Sequence, residues 1–248
     1  MDEKETEILR RKLEELDREK QQIISLVSHD IKAPLNRVFA LVQLMLLEDS
    51  NLTEEQHSYL DKMHLVVADG LGLIRNLVDY RNLEYKRSEL LIEKVNLTQV
   101  IQLVIKNFQT VAGKKKLAIE SDLPKDLFLD SDHHCIIRVV ENILSNAVKF
   151  SSEEKIIKLS AGERDGIVFF SIEDEGPGFT SDELKKMYKK FQKLSALPTA
   201  GESVTGLGLF IVKTMTEKIH GEIVCVTETG KGSTFTVTLP ITLNGSKR

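Results

Sequence analysis

From Glu3 to about Leu47 the chain holds one proline and no glycine, and Leu9, Leu13, Leu16, Lys20, Ile23 and Val27 follow one another at steps of 4, 3, 4, 3 and 4 residues. Apolar residues at that interval form a narrow seam on one helix face, the a/d rhythm of a parallel coiled coil. A second periodic stretch follows DSNLTEEQ, where Thr53 with Glu55 and Gln56 makes an N-cap, and it carries Leu60, Met63, Val67, Leu71, Ile74 and Val78. Two long helices joined by a short loop make a hairpin that cannot cover its own apolar stripes. A second copy is therefore expected, giving a dimer built on a four-helix bundle.

After YRNLEYKRSEL the texture changes to shorter segments, β-branched runs and glycine punctuation. Strands are expected at Leu91–Val95, Lys116–Ser121, Leu127–Leu129, Lys155–Ala161, Gly166–Glu173, Glu222–Thr227 and Gly232–Leu239. Helices are expected at Leu97–Val111, Asp132–Phe150, Ser181–Lys189 and Gly206–His220. Irregular alternation, with hairpins around RDG and TGKG, predicts an α+β sandwich with helices on one face of a mixed sheet.

The 248 residues give room for two such domains, and 41% hydrophobic with 29% charged residues is the composition of a globular chain. A net charge of −4 supplies no field that calls for nucleic acid or an anionic membrane. Cys135 and Cys225 lie far apart in apolar surroundings, which suits buried reduced thiols rather than a disulfide or a metal site. No apolar run reaches the length of about 18 residues that a membrane span needs, and MDEKETEILRRK lacks the chemistry of a signal peptide. A cytoplasmic location is expected, either for the chain itself or for the cytoplasmic part of a larger sensor.

Four stretches carry chemistry. In SLVSHDIKAPLN, Asp30 can accept a proton from one ring nitrogen of His29, which raises the nucleophilicity of the other. Pro34 deletes the hydrogen bond to the Asp30 carbonyl, a defect worth roughly 3 kcal/mol in a helix interior, and so weakens the helix beside the pair. The other five histidines have no such setting and read as surface or packing residues. ENILSNAVKF places Asn142, Asn146 and Lys149 on one helical face, a set suited to hydrated magnesium and phosphate oxygens, though core hydrogen bonding also accounts for it. In IEDEGPGF a strand ends at Asp174, and Gly176 and Gly178 let a flat ligand approach the main chain while the carboxylate accepts from an exocyclic amine; a simple strand-ending turn is the alternative. TGLGLFIVK opens a helix at Gly206 and Gly208, aiming N–H groups at an anion. Between the last two lies a turn-rich, lysine-bearing segment with the composition of a mobile loop.

Taken in order, these stretches resemble the transmitter core of the sensor histidine kinases over nearly the whole chain. SLVSHDIKAPL resembles the H box of that family, ENILSNAVKF its N box, DEGPGF, GLGLFI and GKGSTF its three glycine boxes, and MYKKF its F box. The resemblance implies that His29 accepts the γ-phosphoryl group of ATP with Asp30 as base, and that Asn146 holds Mg²⁺ with Asn142 nearby and Lys149 on phosphate. It further implies that Asp174 reads the adenine amino group, that Gly176, Gly178 and Phe150 shape the base pocket, that Gly206, Leu207 and Gly208 face the phosphates, and that Tyr188 and Phe191 anchor a lid. The implied organisation is a coiled-coil signal helix over 1–22, a dimerisation and phosphoacceptor hairpin over 23–86, a linker and first strand over 87–94, a Bergerat or GHKL ATPase-type domain over 95–243 and a tail over 244–248. The implied partners are a second copy, a response-regulator receiver domain that takes the phosphoryl group on an aspartate, and an upstream input module. Many members carry Thr or Asn four residues after the histidine, where it orients water for dephosphorylating the partner; Ala33 here implies weak phosphatase activity. The alternatives are an ATP-driven conformational clamp of the same fold, from which His29 in its box discriminates, and a dimeric scaffold whose nucleotide site has decayed, against which the intact Asn146, Asp174 and Gly206 argue.

Overall fold

The computed structural model describes residues 3–48, 51–84 and 89–242, which fall into two compact units on either side of residues 85–88. Residues 87 and 88 of the expected linker, and the tail 244–248, lie outside the described residues.

The first unit is a helical hairpin of α1 (Glu3–Leu47) and α2 (Glu54–Glu84). α1 runs through Pro34 as one uninterrupted helix. α2 starts where a capping box forms: Thr53 Oγ1 accepts from the Gln56 N–H at 3.2 Å while Gln56 Oε1 accepts from the Thr53 N–H at 2.9 Å. The two helices pack through buried Val42, Leu60 and Val67, and the rings of Phe39 and His64 stack at 4.6 Å. Much apolar surface stays uncovered on the single chain. Of the expected seam, Leu9 and Leu16 are 56% and 55% exposed; the side chains of Leu13, Lys20, Ile23 and Val27 lie outside the described ones. Leu26, Leu41, Leu44 and Met63 are also exposed.

The second unit is a sandwich. Its five-stranded sheet has the order β2 (Ala118–Asp122), β4 (Ile156–Arg164), β5 (Ile167–Asp174), β7 (Gly232–Pro240) and β6 (Glu222–Glu228), antiparallel except for the β2–β4 pair. A separate antiparallel ribbon joins β1 (Ile92–Asn96) to β3 (Phe128–Asp132). The sheet is mixed, as the sequence predicts, and both expected hairpins form, β4–β5 at Asp165–Gly166 and β6–β7 at Gly230.

Helices α3 (Leu97–Lys114), α4 (His133–Phe150) and α6 (Gly208–Lys218) cover the inner face of the sheet. Ile136, Ile143 and Leu144 of α4 and Ile211 of α6 are buried with Ile157, Val168, Phe170 and Val237 of the strands, all at 1% exposure or less. Fully burying one such side chain is worth about 1.5–3 kcal/mol, so this layer holds the unit together. Asp132 is the cap of α4 rather than its first residue, because its carboxylate accepts from the Cys135 N–H at 2.9 Å and from the Leu91 N–H at 2.9 Å. Neither cysteine is in a disulfide bond.

One expected helix is largely missing. α5 spans only Ser181–Leu184, and the chain then turns irregularly to α6, which starts at Gly208 rather than Gly206. Continuing α5 would set Lys185 over Lys189 and Lys186 over Lys190 as like charges four residues apart, which disfavours a helix. Glu183 is also engaged elsewhere, closing a capping box with Thr180 and accepting from Ser195 further along the chain.

Candidate functional site

In the helical hairpin, His29 stands on the outside of α1 with its side chain 85% exposed, and its Nδ1 lies 3.1 Å from Asp30 Oδ1. With the proton on Nδ1 the carboxylate accepts it, and Nε2 is left with its lone pair as the nucleophilic atom. Continuous helix on both sides holds the pair in place, and exposure leaves it open to attack a bulky substrate. Ala33 and Pro34 follow on the same exposed stretch of α1.

In the sandwich, a cleft opens between the end of α4, the end of β5 and the start of α6, with about 890 Å³ of empty space when the open solvent at its mouth is included. The elements explain which side chains reach it. α4 contributes Asn146, Lys149 and Phe150 from its last turns, β5 contributes Asp174, and β7 contributes Ser233 and Phe235, with Ser233 paired directly across from Asp174. Gly178, Gly206 and Gly208 supply bare backbone. Gly178 has φ +66°, and a Cβ there would run into the Glu228 carbonyl; Gly206 has φ +68°, and a Cβ there would meet the backbone of Phe191 at 2.6 Å. Neither site admits a side chain.

The two ends of the cleft differ electrically. At one end, burial pushes the carboxyl of Asp174 up to about 6, against hydrogen bonds from the Gly176 and Ser233 N–H groups that hold it down; the neighbouring Glu173 adds to the rise. A half-buried carboxylate among Phe150, Phe179 and Phe235 is built to accept one directed hydrogen bond from a flat, apolar-faced ligand. At the other end, α6 begins at Gly208 with no side chain capping it, so its first N–H groups and its positive dipole end face the cleft mouth beside Lys149. That end suits an anion.

Magnesium can be tested against the donors present. Asn146 puts an amide on the cleft, and a Cβ on Gly208 would lie 3.4 Å from Asn142 Oδ1 and 3.9 Å from Asn146 Oδ1, so both amide oxygens border the same narrow space. One protein oxygen together with waters and substrate phosphates is an ordinary shell for Mg²⁺, and the residues fit the ion. No group of three or more His, Cys, Asp or Glu that could bind a metal alone occurs among the described residues.

Seven of the expected residues meet at the cleft: Asn146, Lys149, Phe150, Asp174, Gly178, Gly206 and Gly208. Five do not line it. Asn142 is buried behind it, donating to the Arg138 carbonyl at 2.8 Å. Gly176 is buried beneath Asp174, its N–H donating to Oδ1 at 2.8 Å, and it shapes that carboxylate rather than the wall. Leu207 is a core residue at 2% exposure. Phe191 points outward at φ +58°, and Tyr188 lies half-buried with Lys213 Nζ 5.9 Å from its ring centre and its hydroxyl buried without a partner. Cys225, on the neighbouring strand, has its thiol pushed up to about 12 by burial and by the charge of Asp174. Sequence reasoning gave no site role to Ser233, which falls at the start of the expected strand Gly232–Leu239, or to the loop residues Ser203–Thr205, whose small polar composition gives no sign of a wall.

Comparison with known proteins agrees with this division. Residues 5–86 match the family described as "His Kinase A (phospho-acceptor) domain", and residues 131–243 match "Histidine kinase-, DNA gyrase B-, and HSP90-like ATPase". The aerobic respiration control sensor protein ArcB of Escherichia coli (strain K12) is 28% identical over 92% of the chain, and the chain spans 29% of its length. The autoinducer 2 sensor kinase/phosphatase LuxQ of Vibrio parahaemolyticus is 26% identical over 96% of the chain, which spans 28% of that protein. Among solved structures, full-length ShkA in complex with AMPPNP superposes with a TM-score of 0.64 at 28% identity, covering 88% of this chain and 45% of that one. The catalytic domain of histidine kinase ThkA matches with a TM-score of 0.55 at 25% identity, covering 61% of this chain and 96% of the other. Among the described residues no helix is long and apolar enough to cross a membrane.

Proposed function

Because the chain belongs to the sensor histidine kinases, as a transmitter core with a phosphoacceptor hairpin and an ATPase-type sandwich, we propose that it transfers the γ-phosphoryl group of ATP to His29 and passes it to an aspartate of a response-regulator receiver domain. The observation that carries this reading is the cleft with a directional carboxylate at one end and an uncapped helix N-terminus at the other, on a chain whose His29 is exposed and paired with Asp30.

Asp174 accepts from the adenine amino group, Phe150 and Phe235 sandwich the base region, and Lys149 with the first N–H groups of α6 holds the phosphates. Asn146, backed by Asn142, would hold Mg²⁺, whose chemistry is to neutralise charge on the phosphate oxygens. In the transfer, Nε2 of His29 forms the new bond to phosphorus, the bond from phosphorus to the bridging β–γ oxygen breaks, and ADP leaves with that oxygen. Asp30 holds the Nδ1 proton, stabilises the charge that develops on the ring and then receives the proton. Two copies pack through the exposed seam of α1 to make the bundle, and an upstream input module acts on that seam. Ala33 presents a methyl group where water would have to be oriented, so the balance lies with the kinase.

The test is a split between binding and labelling. His29→Gln binds Mg–ATP within twofold of the parent chain and takes up no γ-phosphoryl group, whereas Asp174→Asn loses both. Phosphoryl uptake by His29→Gln would place the acceptor elsewhere and overturn the assignment.

A further inference from the structure

The segment between α5 and α6 contributes two short runs to the cleft wall, Leu194 with Ala196, and Ser203 through Thr205. A carboxylate stands beside each run. Glu183 accepts from the Ser195 N–H at 2.8 Å and from its hydroxyl at 2.7 Å. Glu202 accepts Lys115 Nζ on one oxygen at 3.3 Å and the Ala200 N–H on the other at 3.0 Å.

Lys115 is the unusual member of that set. It is the middle one of three consecutive lysines, its neighbours are exposed, and it is itself only 8% exposed. Its ammonium donates to the carbonyls of Val148 at 2.6 Å and Lys149 at 3.3 Å, in the last turn of α4. A buried ammonium is unfavourable unless its donors and its charge are both matched. The carbonyl end of α4 satisfies donors and lies at the negative pole of that helix. The lid, through Glu202, brings the carboxylate.

The same turn receives the lid a second time. The Thr199 N–H donates to the Lys149 carbonyl at 3.0 Å, and its hydroxyl donates to the Ser151 carbonyl at 3.1 Å. In return, Lys149 Nζ donates to the lid carbonyl of Ser203 at 3.0 Å. Lid position and the position of a cleft-lining ammonium are thereby tied together.

We infer that Lys115 and Glu202 are positioning residues that latch the lid onto the last turn of α4 and, through Ser203, set where Lys149 stands at the anion end of the cleft. The inference rests on the reading of that cleft as an ATP site. It adds two residues that touch no substrate, and it assigns them to nucleotide retention rather than to the transfer step.

Four versions of the chain test it: the parent, Glu202→Gln, Lys115→Met and the double variant. Glu202→Gln is isosteric and keeps an oxygen that can accept from Lys115 Nζ while removing the charge, so it answers even if Lys115→Met does not fold. Amide hydrogen exchange across residues 195–205 rises by about tenfold in Glu202→Gln while exchange in α4 and the sheet stays unchanged. The KM and Kd for Mg–ATP rise by about five- to tenfold with kcat for His29 phosphorylation within twofold, and the double variant is no worse than the poorer single one. Unchanged lid exchange in Glu202→Gln overturns the latch whatever the parent binds, and so do single effects that multiply. Faster lid exchange in Glu202→Gln, alongside a parent chain that binds no Mg–ATP, keeps the latch and overturns the nucleotide reading instead.

Discussion

Asp174 keeps its proton up to about pH 6, where an ordinary aspartate loses it near 3.8. With the proposed adenine contact, the ionised carboxylate accepts the amino group more strongly than the protonated one, so Mg–ATP affinity is expected to fall as pH drops through about 6. Titration calorimetry at pH 7.5 and pH 5 measures this. The folding contribution has the opposite sign: between 3.8 and about 6 the native state binds a proton that the unfolded chain has released, so this group's contribution to stability declines as pH rises through that window. Asp174→Asn removes the penalty and is expected to be more stable than the parent at pH 7.5 by about 1–3 kcal/mol, read by chemical unfolding, while losing nucleotide binding. Ala33→Thr supplies the missing hydroxyl on an exposed turn of α1, and dephosphorylation of a phosphorylated receiver partner is expected to rise by about tenfold or more. Asp174 was legible in the sequence because a carboxylate ending an apolar strand before paired glycines is chemically conspicuous. Lys115 was not, because three adjacent lysines look alike and only the end of α4 selects the middle one.

Helices differ in how much of their form is local. α4 was legible almost to the residue, since its apolar periodicity and its capping Asp132 act within one segment. α5 was not, because a run that reads as helix by composition is truncated by lysine repulsion and by a glutamate drawn to Ser195. α1 is the reverse case: it contains Pro34 and still runs unbroken, leaving the carbonyl of Asp30, the residue next to His29, without its helical donor. Such a helix is weakened beside His29, where the proposed function requires the ring to meet ATP and then a partner. Pro34→Ala restores the donor and should raise the stability of the hairpin by about 1–3 kcal/mol. The ratio of His29 phosphorylation to receiver dephosphorylation should shift with it, and an unchanged ratio would remove the role assigned to the proline.

The chain forms two compact units, one carrying the exposed His29–Asp30 pair and one the cleft. That division, the order of the units and the sheet class were all legible, because heptad spacing and glycine-punctuated β segments are different textures. The contacts of the loop between α5 and α6 were not, since they join residues far apart in the chain, 54 positions for Lys149 to Ser203 and 87 for Lys115 to Glu202. The helical unit leaves Leu9, Leu16 and Leu26 more than half exposed, and each side chain that a second copy covers contributes about 1.5–3 kcal/mol. Sedimentation should therefore find a dimer, and Leu9→Glu with Leu16→Glu should shift it toward monomer without unfolding the sandwich.

The most direct measurement is the chemical stability of the label that the chain takes from γ-labelled ATP with magnesium. A phosphoramidate on His29 is lost in mild acid, survives alkali and reaches at most one group per chain. Label that withstands acid, or none at all where an active histidine kinase run in parallel is labelled, would contradict the account.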